Sequence, residues 1–164
     1  MSEKKRIVLK ITGEAIKGID RIFDRKALDF LAGEIESIHT DVELAVVIGG
    51  GNIVRGSTLV KECGTNAPIA DYVGMTATIL NGLVLEDFLK KHRMNIRLMS
   101  SIPFGAVGEP FFLKKAIDHL VDGRIVIMVC GTGRPGVTTD TAAILLGYEI
   151  GAGMVLKGTK VKGV

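Results

Sequence analysis

The stretch VVIGGGNIVRG, residues 46–56, sets an apolar run against three consecutive glycines, with an arginine four residues beyond them. The run Leu44 to Ile48 reads as a buried strand that the glycines terminate. Lacking a Cβ, glycines at a strand end let the backbone come close to a ligand. Three in a row beside an arginine point to a phosphate or nucleotide site built from backbone N–H groups and a helix N-terminus. A tight strand-to-helix turn that holds no ligand is the plainer alternative.

Working outward, residues 6–11 read as a β-branched strand that TGEA breaks, and residues 17–23 as a short charged loop. Asp24 can cap a helix over 24–39, where Leu28, Leu31, Ile35 and Ile38 recur at helical spacing. The strand over 42–48 follows. Pro68 opens a second helical region reaching about Arg93, apolar around so much of its circumference that it is expected to be largely buried. A short strand over 95–100, a helix over 110–120 and the run RIVIMV at 124–129, the best central strand, come next. A helix over 138–148 with an alanine-rich face and a strand over 154–157 complete the pattern. Alternating strands and helices, several strands continuously apolar, predict an α/β fold with a mainly parallel sheet covered on both faces.

Composition narrows the function classes. The chain of 164 residues suits one domain, with 47% hydrophobic and 24% charged residues. Aromatic residues are only 5%, which argues against a stacking platform for single-stranded nucleic acid. A net charge of +3 is too small for a DNA-binding face but suits a site for small anions. Cys63 and Cys130 lack metal-ligand spacing, and Cys130 reads as a small buried hydrophobe. His39, His92 and His119 are isolated and read as solvated or helix-end residues, so metal, thiol and triad chemistry find no support. No signal peptide and no apolar stretch of transmembrane length is read, which makes the cytoplasm the expected location and leaves neither membrane nor nucleic acid as a partner.

Four segments are candidates for chemistry, and three follow strands, where open α/β sheets bind ligands. In LKITGEA, Lys10 can reach phosphate oxygens as a point charge, or it can be a solvated surface residue. Gly51 and Gly56 have the spacing that begins a Walker loop, but Ser57 stands in place of its lysine, which excludes that motif. GTGRPG at 131–136 matches G-x-G-x-x-G, yet Pro135 lies inside it and no acidic residue lies on a strand end about twenty residues on. A dinucleotide fold is excluded. Thr138, Thr139 and Asp140 then supply hydroxyls and a cap at a helix start, as an anion or base-recognition corner or as a plain capping box. Asp71 is either surface charge or, if it faces the glycine loops, an acceptor for sugar hydroxyls.

Six ordered segments carry a resemblance: RIVLKITGEA, VVIGGGNIVRG, ADYVGMTATILNGL, RLMSSIP, GTGRPGVTTDTAA and VLKGTKVKGV. Together they are similar to the bacterial uridylate (UMP) kinases of the amino-acid-kinase superfamily. The resemblance implies a three-layer αβα sandwich, a homohexamer, and transfer of the ATP γ-phosphate to UMP with Mg²⁺. It places Lys10, Ile11, Thr12, Gly13, Gly51, Arg55 and Thr159 on the ATP side. It places Gly50, Asp71, Thr132, Gly133, Arg134, Pro135, Gly136, Val137, Thr138 and Thr139 around UMP. Lys10 and Arg55 would bracket the phosphoryl group in transfer. The loop over 17–23 resembles the region tied to GTP activation but is one residue shorter than expected, and GTP and UTP are the implied effectors.

Within the motifs, Lys162 stands where the family commonly has Asp, and Arg134 replaces a smaller residue. The chain stops at Val164, inside the nucleotide loop of the resemblance. The expectation is one amino-acid-kinase-like domain over 1–164 that lacks the C-terminal nucleotide-binding part. The absent part would wall the adenine pocket and supply a carboxylate for the catalytic lysine. Two alternatives remain open: a non-catalytic uridylate-binding or assembly module, and a superfamily kinase for carbamate or an amino-acid carboxylate.

Overall fold

The structure, a computed structural model, describes residues 4–105 and 107–159. Among these residues six strands form one sheet: β1 (Lys5–Ile11), β2 (Val42–Ile48), β3 (Ile96–Ser100), β4 (Glu109–Pro110), β5 (Ile125–Val129) and β6 (Met154–Gly158). The order is β4-β3-β5-β2-β1-β6, and every neighbouring pair is parallel. VELAVVI and IVIMV make the central strands because a parallel sheet covered on both faces needs apolar residues at successive positions.

The pleat divides those residues between two cores. Ile7, Ile11, Leu44, Val46, Ile48, Ile125 and Ile127 face one way, under helices α1 (Arg25–Ile38) and α3 (Ala67–Lys91). Val8, Ala45, Val47, Val126 and Met128 face the other, under α4 (Leu113–Val121) and α5 (Thr139–Glu149). Three layers result, as expected. Each fully buried Ile or Leu contributes roughly 1.5–3 kcal/mol relative to exposure.

Helix α1 begins where the sequence places it: Asp24 Oδ1 accepts the Ala27 amide at 2.9 Å. Its buried residues, Leu28, Ala32 and Ile35, form one stripe. Helix α3 departs from expectation. It buries Met75, Leu85 and Leu89 against the sheet, but Ile69, Val73 and Leu80 are about half exposed, at 54%, 40% and 48%. One helix can bury only the arc that the sheet covers. By length and composition this 25-residue helix is also apolar enough to cross a membrane, contrary to the sequence reading. Its inward face, however, carries the buried polar residues Thr78 and Asn81, packed within a folded core.

Two further elements were not foreseen. Helix α2 (Gly56–Cys63) follows Arg55 and ends at Gly64 with φ +65°. Strand β4 takes Pro110, which had been expected to open a helix, and α4 starts at Leu113 instead. A proline is tolerated there because β4 is the sheet edge and a proline lacks the amide of a ladder bond.

His119 is a helix-end residue, as the sequence allows, but it is neither solvated nor isolated. It lies in the last turn of α4 yet is 7% exposed. Arg124 Nη1 donates to its Nδ1 at 2.9 Å, so the proton of the neutral ring sits on Nε2, 3.3 Å from Glu109 Oε2. A hydrogen bond from Lys115, and a weaker one from His119, hold the Glu109 carboxyl below its ordinary range against the opposing effect of burial. This cluster ties β4 to α4.

The connections create one crevice. Helix α3 follows β2 on the first face, whereas α5 follows β5 on the second. Strands β2 and β5 are neighbours, so their chains leave the sheet in opposite directions. Such a switch point opens a cleft beyond the carboxyl ends of the strands.

Candidate functional site

The glycines after β2 form the floor of that crevice. A Cβ on Gly50 would lie 2.8 Å from both the Ala77 Cβ and the Gly74 carbonyl, so only glycine lets the loop rest on α3. A Cβ on Gly51 would meet nothing closer than Arg55 Nε at 3.8 Å, so this position is not crowded by the rest of the chain. A cavity of about 170 Å³ lies here, bounded by Gly50, Gly51, Asp71, Thr78, Val137 and Thr139, among others.

The loop after β5 forms the opposite wall. Cys130, Gly131, Gly133 and Gly136 all have positive φ, at 62°, 54°, 72° and 78°. Only glycine adopts such angles freely, which accounts for three of the four. Cys130 is held by its amide, which donates to Thr78 Oγ1 at 2.7 Å. Burial pushes its thiol pKa up, which disfavours the thiolate form. Thr138 caps α5, accepting the Thr141 amide at 3.3 Å, and Thr139 in the first turn lines the cavity. The amide-rich start of α5 thus opens on the glycine floor.

Asp71 faces the glycine loops, the condition on which its functional reading depended. Its Oδ2 accepts the Gly136 amide at 2.7 Å, and Oδ1 is left for a further donor. Thr132, Gly133 and Arg134 lie farther out. Thr132 and Arg134 line an adjoining cavity of about 450 Å³ with Ser101 and Phe111, while Gly131 and Val137 border both cavities. Thr132 Oγ1 accepts the Arg134 amide at 3.3 Å. Pro135 is half-buried in the same loop.

On the other side of the floor lies a charge cluster. Lys10 is 6% exposed, not a solvated surface lysine, and its Nζ is 2.6 Å from Asp140 Oδ1. Lys157 Nζ reaches Asp140 Oδ2 at 2.8 Å. Burial alone would raise the Asp140 carboxyl, but the two lysines outweigh it and hold its pKa below the ordinary value. Lys10 therefore has a carboxylate partner within this chain, contrary to the expectation that it must come from residues beyond Val164. Arg55 is bound elsewhere: its Nη2 is 3.0 Å from Glu14 Oε1.

The other ATP-side candidates are placed as follows. The Ile11 side chain is in the core, and its carbonyl accepts the Gly49 amide at 2.9 Å. Thr12 precedes a short 3-10 turn over Gly13–Ile16. A Cβ on Gly13 would fall 2.2 Å from Asn52 Oδ1, so this turn sits directly on the glycine loop. Thr159 borders an apolar cavity of about 490 Å³ between β1 and α1 with Phe30 and Leu31. Lys162, and the end of the last motif, lie outside the described residues. The sequence reading did not name Lys157 as a site residue, and it put Asp140 in the corner at the start of α5, as an anion or base-recognition residue or a plain cap, without pairing it with Lys10. Their only signal was a basic residue on the last strand and an acid in a helix first turn.

Among the described residues no group of three or more His, Cys, Asp or Glu is placed to hold a metal ion. Asp140 is already engaged by two ammonium groups.

The sequence profile of the amino acid kinase family matches residues 5–164. The chain is 48% identical to a uridylate kinase of Psychromonas ingrahamii over 99% of its own length and 66% of the relative's. It is 43% identical to one of Aliarcobacter butzleri, over 98% and 69%. The crystal structure of UMP kinase from Ureaplasma parvum superposes with a TM-score of 0.94 at 36% identity, over 99% of this chain and 69% of that one. UMP kinase from Bacillus anthracis superposes with a TM-score of 0.92 at 38% identity, over 98% and 67%. The chain thus spans about two thirds of the length of the relatives it matches. With matching motifs, sheet and crevice, this chain belongs to the amino acid kinase family, among its uridylate kinases.

Proposed function

We propose that this crevice takes UMP and that the protein transfers the ATP γ-phosphate to it, giving UDP. The observation that carries the reading is the Asp71–Gly136 hydrogen bond across the glycine floor. It leaves a carboxylate oxygen for a ribose hydroxyl beside a set of amides suited to a phosphate. The names of the relatives support the same substrate.

Phosphoryl transfer needs positioning and charge neutralisation more than covalent chemistry. The Gly50 amide and the start of α5 hold the acceptor phosphate, and Gly51 serves the ATP side of the same floor. Thr139 stands between the floor and the lysine cluster. Lys10 meets the phosphate in transit from the ATP side, and Asp140 keeps its ammonium group pointed there. Arg55, exposed on its loop, exchanges Glu14 for a phosphate oxygen. Mg²⁺ bound to ATP supplies further neutralisation of the nucleotide phosphates.

In the same reading the chain is one protomer of a cytoplasmic homohexamer that responds to GTP and UTP. The half-exposed stripe of Ile69, Val73 and Leu80 on α3 supports an assembly surface.

UMP titration calorimetry with a coupled assay for UDP tests the reading. Saturable UMP uptake, with ATP-dependent turnover of UMP in preference to CMP, is the expected result. Uptake without turnover points to the binding module instead. No uptake of UMP ends the proposal.

A further inference from the structure

Two buried asparagines stand behind the glycine floor, and the proposed chemistry touches neither. Asn81, on the inward face of α3, is 0% exposed, and Asn52, directly after Gly51, is 7% exposed. Their amides bond reciprocally: Asn81 Nδ2 donates to Asn52 Oδ1 at 2.7 Å, and Asn52 Nδ2 donates to Asn81 Oδ1 at 3.1 Å. Asn81 Nδ2 also donates to the Gly49 carbonyl at 2.6 Å, and Asn52 Nδ2 to the Ile22 carbonyl at 3.0 Å. Every amide hydrogen of the pair is therefore used. Gly13 packs on the same group, since a Cβ there would meet Asn52 Oδ1 at 2.2 Å and the Gly49 carbonyl at 2.8 Å.

Three segments of the crevice thus converge on one amide pair: the turn after β1, the glycine floor and the end of the loop before α1. Burying two amides is costly unless each is satisfied, and an apolar pair fills the same space without that demand. What an apolar pair lacks is direction. A peptide group is planar, with its C=O and the following N–H pointing oppositely. Holding the Gly49 carbonyl inward onto Asn81 therefore turns the Gly50 N–H outward.

We infer that Asn81 and Asn52 are positioning residues, which aim the Gly50 amide at the acceptor phosphate by holding the Gly49 carbonyl. The inference rests on the proposed UMP site. Asn81→Asp tests it, because the substitution keeps the shape and makes the donor depend on pH. The hydrogen-bond partners of Asn81 are neutral, so burial raises the pKa of the introduced carboxyl. Ionised, it sets an acceptor against the Gly49 carbonyl. Protonated, it donates to that carbonyl again.

UMP affinity of Asn81→Asp relative to the unaltered protein is expected to fall about tenfold or more near pH 8, the scale of one lost buried hydrogen bond. The ratio returns towards one as the pH is lowered to about 5.5. Asn81→Leu is weak at both. Hydrogen exchange provides a readout without ligand. The amides of Gly49, Ile53 and Val54, which bond the Ile11 and Gly50 carbonyls, should exchange faster than in the unaltered protein near pH 8, with β5 unchanged. Unaltered affinity and unaltered exchange overturn the inference. So does equal acceleration throughout β5, which marks a merely structural role. Local, pH-dependent exchange in a protein that takes up no UMP leaves the positioning standing and removes the UMP reading.

Discussion

Lys10 and Lys157 are partners in the parallel register of β1 and β6, and both ammonium groups close on the Asp140 carboxylate. Two like charges side by side repel, and the carboxylate in the first turn of α5 offsets that repulsion where the helix dipole also favours an anion. In the proposed reaction, a phosphate arriving at the crevice would meet cations that are already held in place.

Replacing Lys10 removes one charge from this set. Lys10→Met is expected to lower single-turnover phosphoryl transfer by about 10²–10³-fold, the usual scale for one stabilising donor. UMP affinity by calorimetry should stay within about threefold, because the acceptor lies on the other side of the floor.

Asp140 makes stability depend on acid. Its folded pKa lies below the unfolded value, so its contribution is complete above the unfolded pKa and is lost as the pH falls through the folded one. Urea midpoints measured from neutral pH to about pH 2.5 should show a shallower acid limb in Asp140→Asn than in the unaltered protein. The side chain is 44% exposed, so the difference should stay within about 1 kcal/mol.

Asp71→Asn weakens the bond to the Gly136 amide and removes the charge offered to a ribose. UMP affinity should fall by about tenfold to a hundredfold, the range for hydrogen bonds to a charged group. Inorganic phosphate, which has no ribose, should lose much less, and equal losses for both would show that Asp71 serves the loop alone.

Two helical glycines should respond oppositely to alanine. A Cβ on Gly82 would fall 2.5 Å from Val129 Cγ1 and 2.9 Å from Leu98 Cδ1. Gly82→Ala should cost about 1–3 kcal/mol from overpacking, which outweighs the gain in helix propensity. Gly33 meets nothing within 4 Å, so Gly33→Ala should stabilise α1 by about 0.5–1 kcal/mol. Thermal melts of the pair check the sign.

The two free thiols should differ in reactivity. Cys63 is exposed, whereas Cys130 is buried with its thiol pKa pushed up. Alkylation followed by mass spectrometry should modify Cys63 first and reach Cys130 only on unfolding.

Local signals were legible along the chain. The Asp24 cap, the central runs VELAVVI and IVIMV, and the glycine turns after β2 and β5 stand where the residues put them. These features depend on neighbours within a few positions, through periodicity, capping and φ. The edge strand holding Pro110, helix α2 and the half-exposed stripe of α3 were not legible, because each depends on which surface lies opposite. His119 is the same case: an isolated histidine in sequence, it is buried between Glu109 and Arg124 once β4 meets α4.

The sequence by itself determined an α/β chain with glycine loops at strand ends and the motifs of its family. The tertiary structure alone decided which of those polar residues meet. Lys10 and Lys157 are 147 positions apart and become neighbours only through the β1–β6 register. Asp71 reaches Gly136, and Asn81 reaches Gly49, only because α3 packs beneath the switch point between β2 and β5. Spacing along the chain carries no record of those distances, since register and crossover are set by burial of the whole sheet.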